Sequence, residues 1–170
     1  GLDVGNDKYG DRKIGGAVSV FNKNGLFEAI LPVYVNTGGE KLDVGKILET
    51  IHFNLGLKDK NILLIRDGNL YNQEIEKALE MTNMLSLRIT FMNVIKKHNI
   101  RMFEDESGRK GIILKDNFAL LLNHKIQGAR PIKITSKIVI ENGQVKYGRI
   151  TEKDLWHLYA LSHVNYSNIH

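Results

Sequence analysis

Three carboxylates sit where an α/β sheet usually keeps its chemistry. Asp3 closes the apolar stretch of GLDVG, Asp67 closes NILLIRDG, and Glu40 follows two glycines in NTGGE. Sites of open α/β sheets gather at the carboxyl ends of neighbouring strands. If the strands carrying Asp3 and Asp67 are neighbours, their side chains converge although they are far apart in the chain. Two like charges brought together repel unless something neutralises them. A divalent cation does so, and Mg²⁺ or Mn²⁺ favours hard oxygen donors such as two carboxylates, waters and a substrate phosphate. A pair of such ions can activate an attacking water and stabilise the leaving oxygen of a phosphodiester.

The same residues have plainer readings. Asp67-Gly68 is a common turn pair, and Asp3 ahead of Gly5 can be another. For these two, turn and ligand both stay open. Glu40 stands ahead of a helical pattern, where the macrodipole welcomes an acid. Gly38 and Gly39 would equally let it swing in on a hinged loop. Spacing alone favours the helix-end role for Glu40.

The elements that would position these acids follow from periodicity. IGGAVSVF (Ile14 to Phe21) reads as a strand, NKNG as a hairpin turn, and Leu26 to Val35 as the returning strand. Pro32 cannot donate to a ladder, so that strand is an edge or is bulged. Leu42 to Leu55 has helical spacing. NILLIR reads as a short apolar run covered on both faces, followed by a helix from about Asn72 to Glu80. Ser86 to Lys96 is a further strand. Ile112 to Leu114 and Phe118 to Leu122 form a hairpin, and Pro131 to Ile140 turns back through ENGQ to Val145 to Tyr147. Thr151 to Tyr166 is the last helix, with Thr151 as N-cap and Asp154 completing a variant capping box. Hairpin strands, then a helix crossing to a buried strand, predict a mixed α/β sheet.

Composition bounds the function classes. The chain has 170 residues, 42% hydrophobic and 25% charged, which suits one domain with its own core. No apolar run reaches the roughly 20 residues of a membrane span, and no secretory signal pattern stands at the start. There is no cysteine, which excludes disulfides and thiolate metal sites and leads us to expect a cytoplasmic protein. The net charge of +5 favours an anionic partner. Gly1 falls inside a strand pattern and His170 follows a helical one without a stop signal, so we expect a piece of a longer protein.

GLDVG, RKIGGAVSVFNKNG, TGGE, LLIRDGN, GARPIKI and DLWHLYALSHVNY occur in that order. Together they resemble the PIWI domain of Argonaute proteins of the archaeal and bacterial kind, over nearly the whole chain. The resemblance implies a ribonuclease H-like fold, a central mixed β-sheet flanked by helices, with residues 1–170 as a PIWI domain lacking its C-terminal end. It also implies an endonuclease that cuts a target strand paired to a short guide, DNA or RNA, with two Mg²⁺ or Mn²⁺ ions. Other domains of the same chain would be partners, and no membrane would be. In that family the site is a tetrad of Asp, Glu, Asp and a fourth Asp or His. By position Asp3, Glu40 and Asp67 match the first three, which makes Glu40 a loop-borne finger. The fourth falls beyond His170, and His163 has a better claim to a structural or guide-contacting role. An alternative is a PIWI module that holds guide and target without cutting. A transposase- or resolvase-like nuclease would explain the acids but neither GARPIKI nor SHVNY.

Basic residues cluster in KKHNIR (Lys96, Lys97, Arg101) and in and after GARPIKI (Arg130, Lys133, Lys137). Lys133 and Lys137 have the even spacing of one strand face. The resemblance places GARP and SHVNY, with Asn165, along the nucleic-acid channel, where Arg130, Lys133, Lys97 and Arg101 would contact phosphates. A solvated basic face is the plain alternative for any one lysine. Tyr147, Trp156 and Tyr159 read as packing residues, and the other histidines share no metal-ligand spacing.

Overall fold

The structure, a computed structural model, describes residues 2–5, 15–33, 42–95, 98–100, 112–116, 118–121 and 131–158. Three strands come first: β1 (Leu2–Gly5), β2 (Gly15–Phe21) and β3 (Phe27–Val33). Then α1 (Val44–Leu55), β4 (Asn61–Asp67), α2 (Asn72–Leu85) and β5 (Arg88–Ile95) alternate. The hairpin β6 (Ile112–Leu114) and β7 (Ala119–Leu121) precedes β8 (Ile132–Glu141) and β9 (Gln144–Gly148). A helical stretch at 152–158 follows.

All the described strands join one sheet in the order β3-β2-β1-β4-β5-β8-β7-β6, with β9 paired to β8. β1, β4 and β5 run parallel at its centre, and antiparallel strands extend it on both sides. β3 is the outermost strand beyond β2, which is how Pro32 is tolerated opposite Ala17. The sheet is covered on both faces. On one, Val44, Ile47, Leu48 and Ile51 of α1 and Ile75, Ala78 and Met81 of α2 pack on Leu64, Ile89, Phe91, Ile138 and Ile140. On the other, Leu155 and Leu158 of the 152–158 stretch pack on Met92, Val94, Leu121 and Ile134, with Leu63 and Ile65 alongside. Each fully buried aliphatic side chain of this kind contributes about 1.5–3 kcal/mol. This is the predicted mixed α/β sheet flanked by helices.

Helix ends follow local chemistry. Asp43 caps α1, its Oδ1 accepting from the Lys46 N–H at 3.0 Å, and Gly56 at φ +65° ends that helix. Thr151 and Asp154 form the expected capping box. The Thr151 N–H donates to Asp154 Oδ2 at 2.9 Å, and the Asp154 N–H reaches Thr151 Oγ1 at 3.3 Å. Several boundaries differ from expectation; α1, for one, starts at Val44 rather than Leu42, with Asp43 as its cap. α2 runs on to Leu85 because Met81 and Thr82 stay buried, and Ser86 then stops it in the left-handed region at φ +51°. β5 starts at Arg88, after the buried Leu87.

Candidate active site and nucleic-acid interface

β1 and β4 are neighbours, and they pair in parallel with Leu2 in register with Arg66. Continued by one residue, that register sets the backbone of Asp3 beside that of Asp67. Asp67 ends β4, but Asp3 does not end β1 as expected, because pairing with β2 carries the strand on to Gly5. Neighbouring strands lie about 4.8 Å apart. Asp3 is also in register with Ala17 of β2, and Asp67 with Val94 of β5, so both acids sit on central strands. Asp67 is half-buried. Alternation along β4 puts it on the face of Leu63 and Ile65, the face covered by the 152–158 stretch. Gly68 follows at φ +95°, a conformation that strains any side-chain-bearing residue, and its N–H donates to Val94 O at 2.9 Å.

Arg66, the last residue of the run read as apolar, is only 4% exposed and points to the opposite face. Its guanidinium Nε lies 3.5 Å from Glu74 Oε1, and Nη1 donates to the Asp67 carbonyl. Glu74 is 1% exposed. Its Oε1 accepts the Leu42 N–H at 2.8 Å and its Oε2 the Tyr71 N–H at 3.0 Å. The sequence reading missed this pair. The signal was an arginine inside an aliphatic strand, which has to find a charged partner when buried.

The basic residues divide. Lys133 and Lys137 do not share a face. Lys133 is in register with Ile95 but Lys137 with Met92, because β8 carries an extra residue, Thr135, opposite the Asn93/Val94 step. Lys137 Nζ pairs with Asp154 at 2.7 Å. Burial raises the Asp154 pKa, but hydrogen bonds from Lys137 and Thr151 outweigh it and hold the carboxyl below its ordinary value. Lys133 Nζ sits 4.9 Å from the centre of the Phe118 ring. Glu40, Lys96, Lys97, Arg101, Arg130, Tyr159, His163, Asn165 and His170 lie outside the described residues. Trp156 is exposed and so is Tyr147, the latter 77%, so neither belongs to the core.

Two of the described histidines, His52 and His98, make structural hydrogen bonds, whereas His157 is exposed. His52 Nδ1 accepts the Leu57 N–H at 3.0 Å. His98 Nδ1 accepts the Ile100 N–H at 3.2 Å, which leaves Nε2 to donate to Pro131 O at 2.6 Å. No group of three or more His, Cys, Asp or Glu side chains that could hold a metal occurs among the described residues. The acids that could hold one are Asp67 and, one strand over, Asp3. Their carboxylates are the hard oxygen donors that Mg²⁺ or Mn²⁺ selects, so the donor chemistry fits. A groove of about 290 Å³ between α1 and α2, lined by Asp43, Lys46, Lys77 and Met84 among others, lies on the α1/α2 side of the sheet. It is on the wrong side of the sheet for Asp67. No helix among the described residues is long and apolar enough to cross a membrane.

No family model matches the chain. Over 99% of its length it is 31% identical to the Argonaute protein of Pyrococcus furiosus, of which it covers 23%. It is 28% identical, over 100% of its length, to the Argonaute protein of Methanocaldococcus jannaschii, of which it covers 24%. The solved structure of the latter protein superposes with a TM-score of 0.78 at 24% identity, covering 100% of this chain and 24% of that one. Its complex with guide DNA gives a TM-score of 0.70 at 23% identity, over 98% of this chain and 24% of that one. The fold is therefore ribonuclease H-like, and the chain spans about a quarter of the length of these relatives.

Proposed function

Because the chain is homologous along its whole length to one quarter-length stretch of Argonaute proteins, we propose that residues 1–170 are the PIWI domain of a longer Argonaute. In that protein the domain is a guide-directed endonuclease that cuts the target strand of a guide–target duplex. The observation that supports this best is the parallel β1–β4 register, which sets the backbone of Asp3, within β1, beside the end of β4 that carries Asp67. The Methanocaldococcus relative has been solved with a guide DNA, and a guide strand is the partner we assign here.

In this reading Asp3, Asp67 and the loop-borne Glu40 hold divalent metal, and a fourth ligand comes from beyond His170. Bound there, Mg²⁺ or Mn²⁺ would supply a nucleophilic water at neutral pH and charge for the leaving oxygen. The chain's own work is positional. The parallel strands fix the spacing of the two aspartates, and Gly68 lets the backbone turn away directly after Asp67. The sheet face that Asp67 shares is covered by the 152–158 stretch, which excludes water from its apolar side. Lys133, Arg130, Lys97, Arg101 and Asn165 hold phosphates of the duplex, leaving sequence to base pairing.

The test is cleavage by the intact parent on the four DNA and RNA guide–target combinations, with and without Mn²⁺. Asp67→Asn should abolish cutting and leave guide binding intact. Cutting retained by that variant refutes the assignment. A wild-type parent that holds the duplex and never cuts it would identify a binding module instead.

A further inference from the structure

Arg66 is buried where an aliphatic residue would serve the packing. By alternation along β4 it shares the α1/α2 face with Leu64, which lies in the core there. Taking a guanidinium out of water is costly, and a buried ion pair often contributes no more stability than well-packed apolar residues. Neutralising Glu74 accounts for one part of the guanidinium, the Nε that lies 3.5 Å from Glu74 Oε1. It does not account for another, because Nη1 donates to the Asp67 carbonyl.

That carbonyl belongs to the peptide unit joining Asp67 to Gly68. The N–H of the same unit donates to Val94 O at 2.9 Å. A peptide unit is planar, so holding both of its polar groups fixes its plane and, with it, ψ of Asp67. Pairing with Val94 of β5 holds Asp67 on the strand side of that plane. The far side has no such restraint of its own. Gly68 sits at φ +95° and carries no side chain, so its backbone can pivot. Arg66 Nη1 lies 3.8 Å from where a Gly68 Cβ would stand, so the guanidinium rests against this turn.

We propose that Arg66 is a positioning residue for Asp67: Nη1 holds the Asp67 carbonyl and, together with Val94, fixes the peptide plane that aims the Asp67 side chain. This rests on the endonuclease reading above. Arg66 faces the side of the sheet opposite to Asp67, so it acts through the backbone and touches neither metal nor substrate. Glu74 is the anchor that holds the guanidinium in place.

The test uses the full-length parent with guide bound, as wild type, Arg66→Lys and Asp67→Asn. Lysine keeps a cation facing Glu74, but it ends one bond short of Nη1 and carries one nitrogen where arginine uses two. The Asp67 carbonyl then loses its donor. Hydrogen exchange at the Gly68 amide reads the peptide directly, without metal. It should quicken roughly tenfold in Arg66→Lys, with Leu64 and Phe91 still protected. Single-turnover cleavage against Mn²⁺ concentration reads the consequence. Residues that orient metal ligands typically change affinity or activity about 10–100-fold, so the half-maximal Mn²⁺ concentration should rise about tenfold or more, with guide affinity unchanged. A merely structural arginine would lower the urea midpoint and move neither reading. Unaltered Gly68 exchange, or an unmoved Mn²⁺ curve, overturns the proposal. If Arg66→Lys does not fold, Arg66→Met combined with Glu74→Gln decides, since it removes both charges together and leaves none buried alone. The same two shifts are expected there, and the absence of either is equally fatal. A wild type that never cuts, or an Asp67→Asn variant that does, refutes the endonuclease reading, and the positioning role falls with it whatever Gly68 shows.

Discussion

Asp154 ties the last described helix to the sheet, and its removal has a size that the contacts fix. Its carboxylate accepts Lys137 Nζ at 2.9 and 2.7 Å, the Thr151 N–H at 2.9 Å and the Thr151 hydroxyl at 2.7 Å. Losing a helix cap costs about 1 kcal/mol. Leaving the Lys137 ammonium without its carboxylate costs about another 1–2 kcal/mol, the low end for a charged group because Lys137 is 18% exposed and can bend toward water. Asp154→Ala should therefore lose about 2–3 kcal/mol, read as a lower urea midpoint with an unchanged slope. Asp154→Asn, which keeps the shape and one acceptor, should lose less. The pH dependence has a definite sign. The folded-state pKa is depressed, so the contribution is complete above the unfolded carboxylate value of about 3.9. It is lost as pH falls through the lower folded value. The gap between wild type and Asp154→Asn should be flat from about pH 5 to 7 and close in acid below about pH 4. A loss below about 0.5 kcal/mol for Asp154→Ala, or a gap that widens in acid, would refute the reasoning.

Gly68→Ala should cost about 1–2 kcal/mol from strain at φ +95° and slow cutting more than it lowers stability, since the residue adjoins Asp67; paired denaturation and cleavage measurements check this. The two lysines of β8 should separate by assay. Lys137→Met should destabilise without altering the salt dependence of duplex binding, and Lys133→Met should reduce that salt slope by about one unit with little effect on stability. Glu40→Gln in the full-length parent should abolish cutting and leave guide affinity unchanged, as measured by cleavage and by filter binding. Gly143 at φ +72° follows Asn142 at φ +51° in the β8–β9 turn, so Gly143→Val should cost at least about 1 kcal/mol in a denaturation series.

What the sequence disclosed was local chemistry. The NKNG turn, the edge position of Pro32, the ENGQ hairpin and the Thr151–Asp154 box are each decided within a few residues, and each appears in the structure as read. What it hid was decided by neighbours distant in the chain. The even spacing of Lys133 and Lys137 promised one face, but the extra residue at Thr135 reverses it, and no glycine or proline marks the bulge. α2 outran its reading because burial of Met81 and Thr82, not propensity, holds its last turn.

The candidate site was half legible for the same reason. That Asp67 ends an apolar strand is visible in the letters; that β1 runs past Asp3 to Gly5, and that β1 and β4 are parallel neighbours in register, are tertiary facts. The register also explains why Arg66 and Asp67 are adjacent. On one strand tip, consecutive residues face opposite sides, so Arg66 meets Glu74 beneath α1 and α2 while Asp67 looks to the other face. A slip of β4 by one residue would exchange them, burying the Asp67 carboxylate under the helices and stranding Glu74 without its cation. An uncompensated buried charge costs about 3–5 kcal/mol. The ion pair beneath the helices thus locks the register of the strand that carries Asp67. Placing the acid and holding the sheet in step are consequences of the same two neighbouring residues.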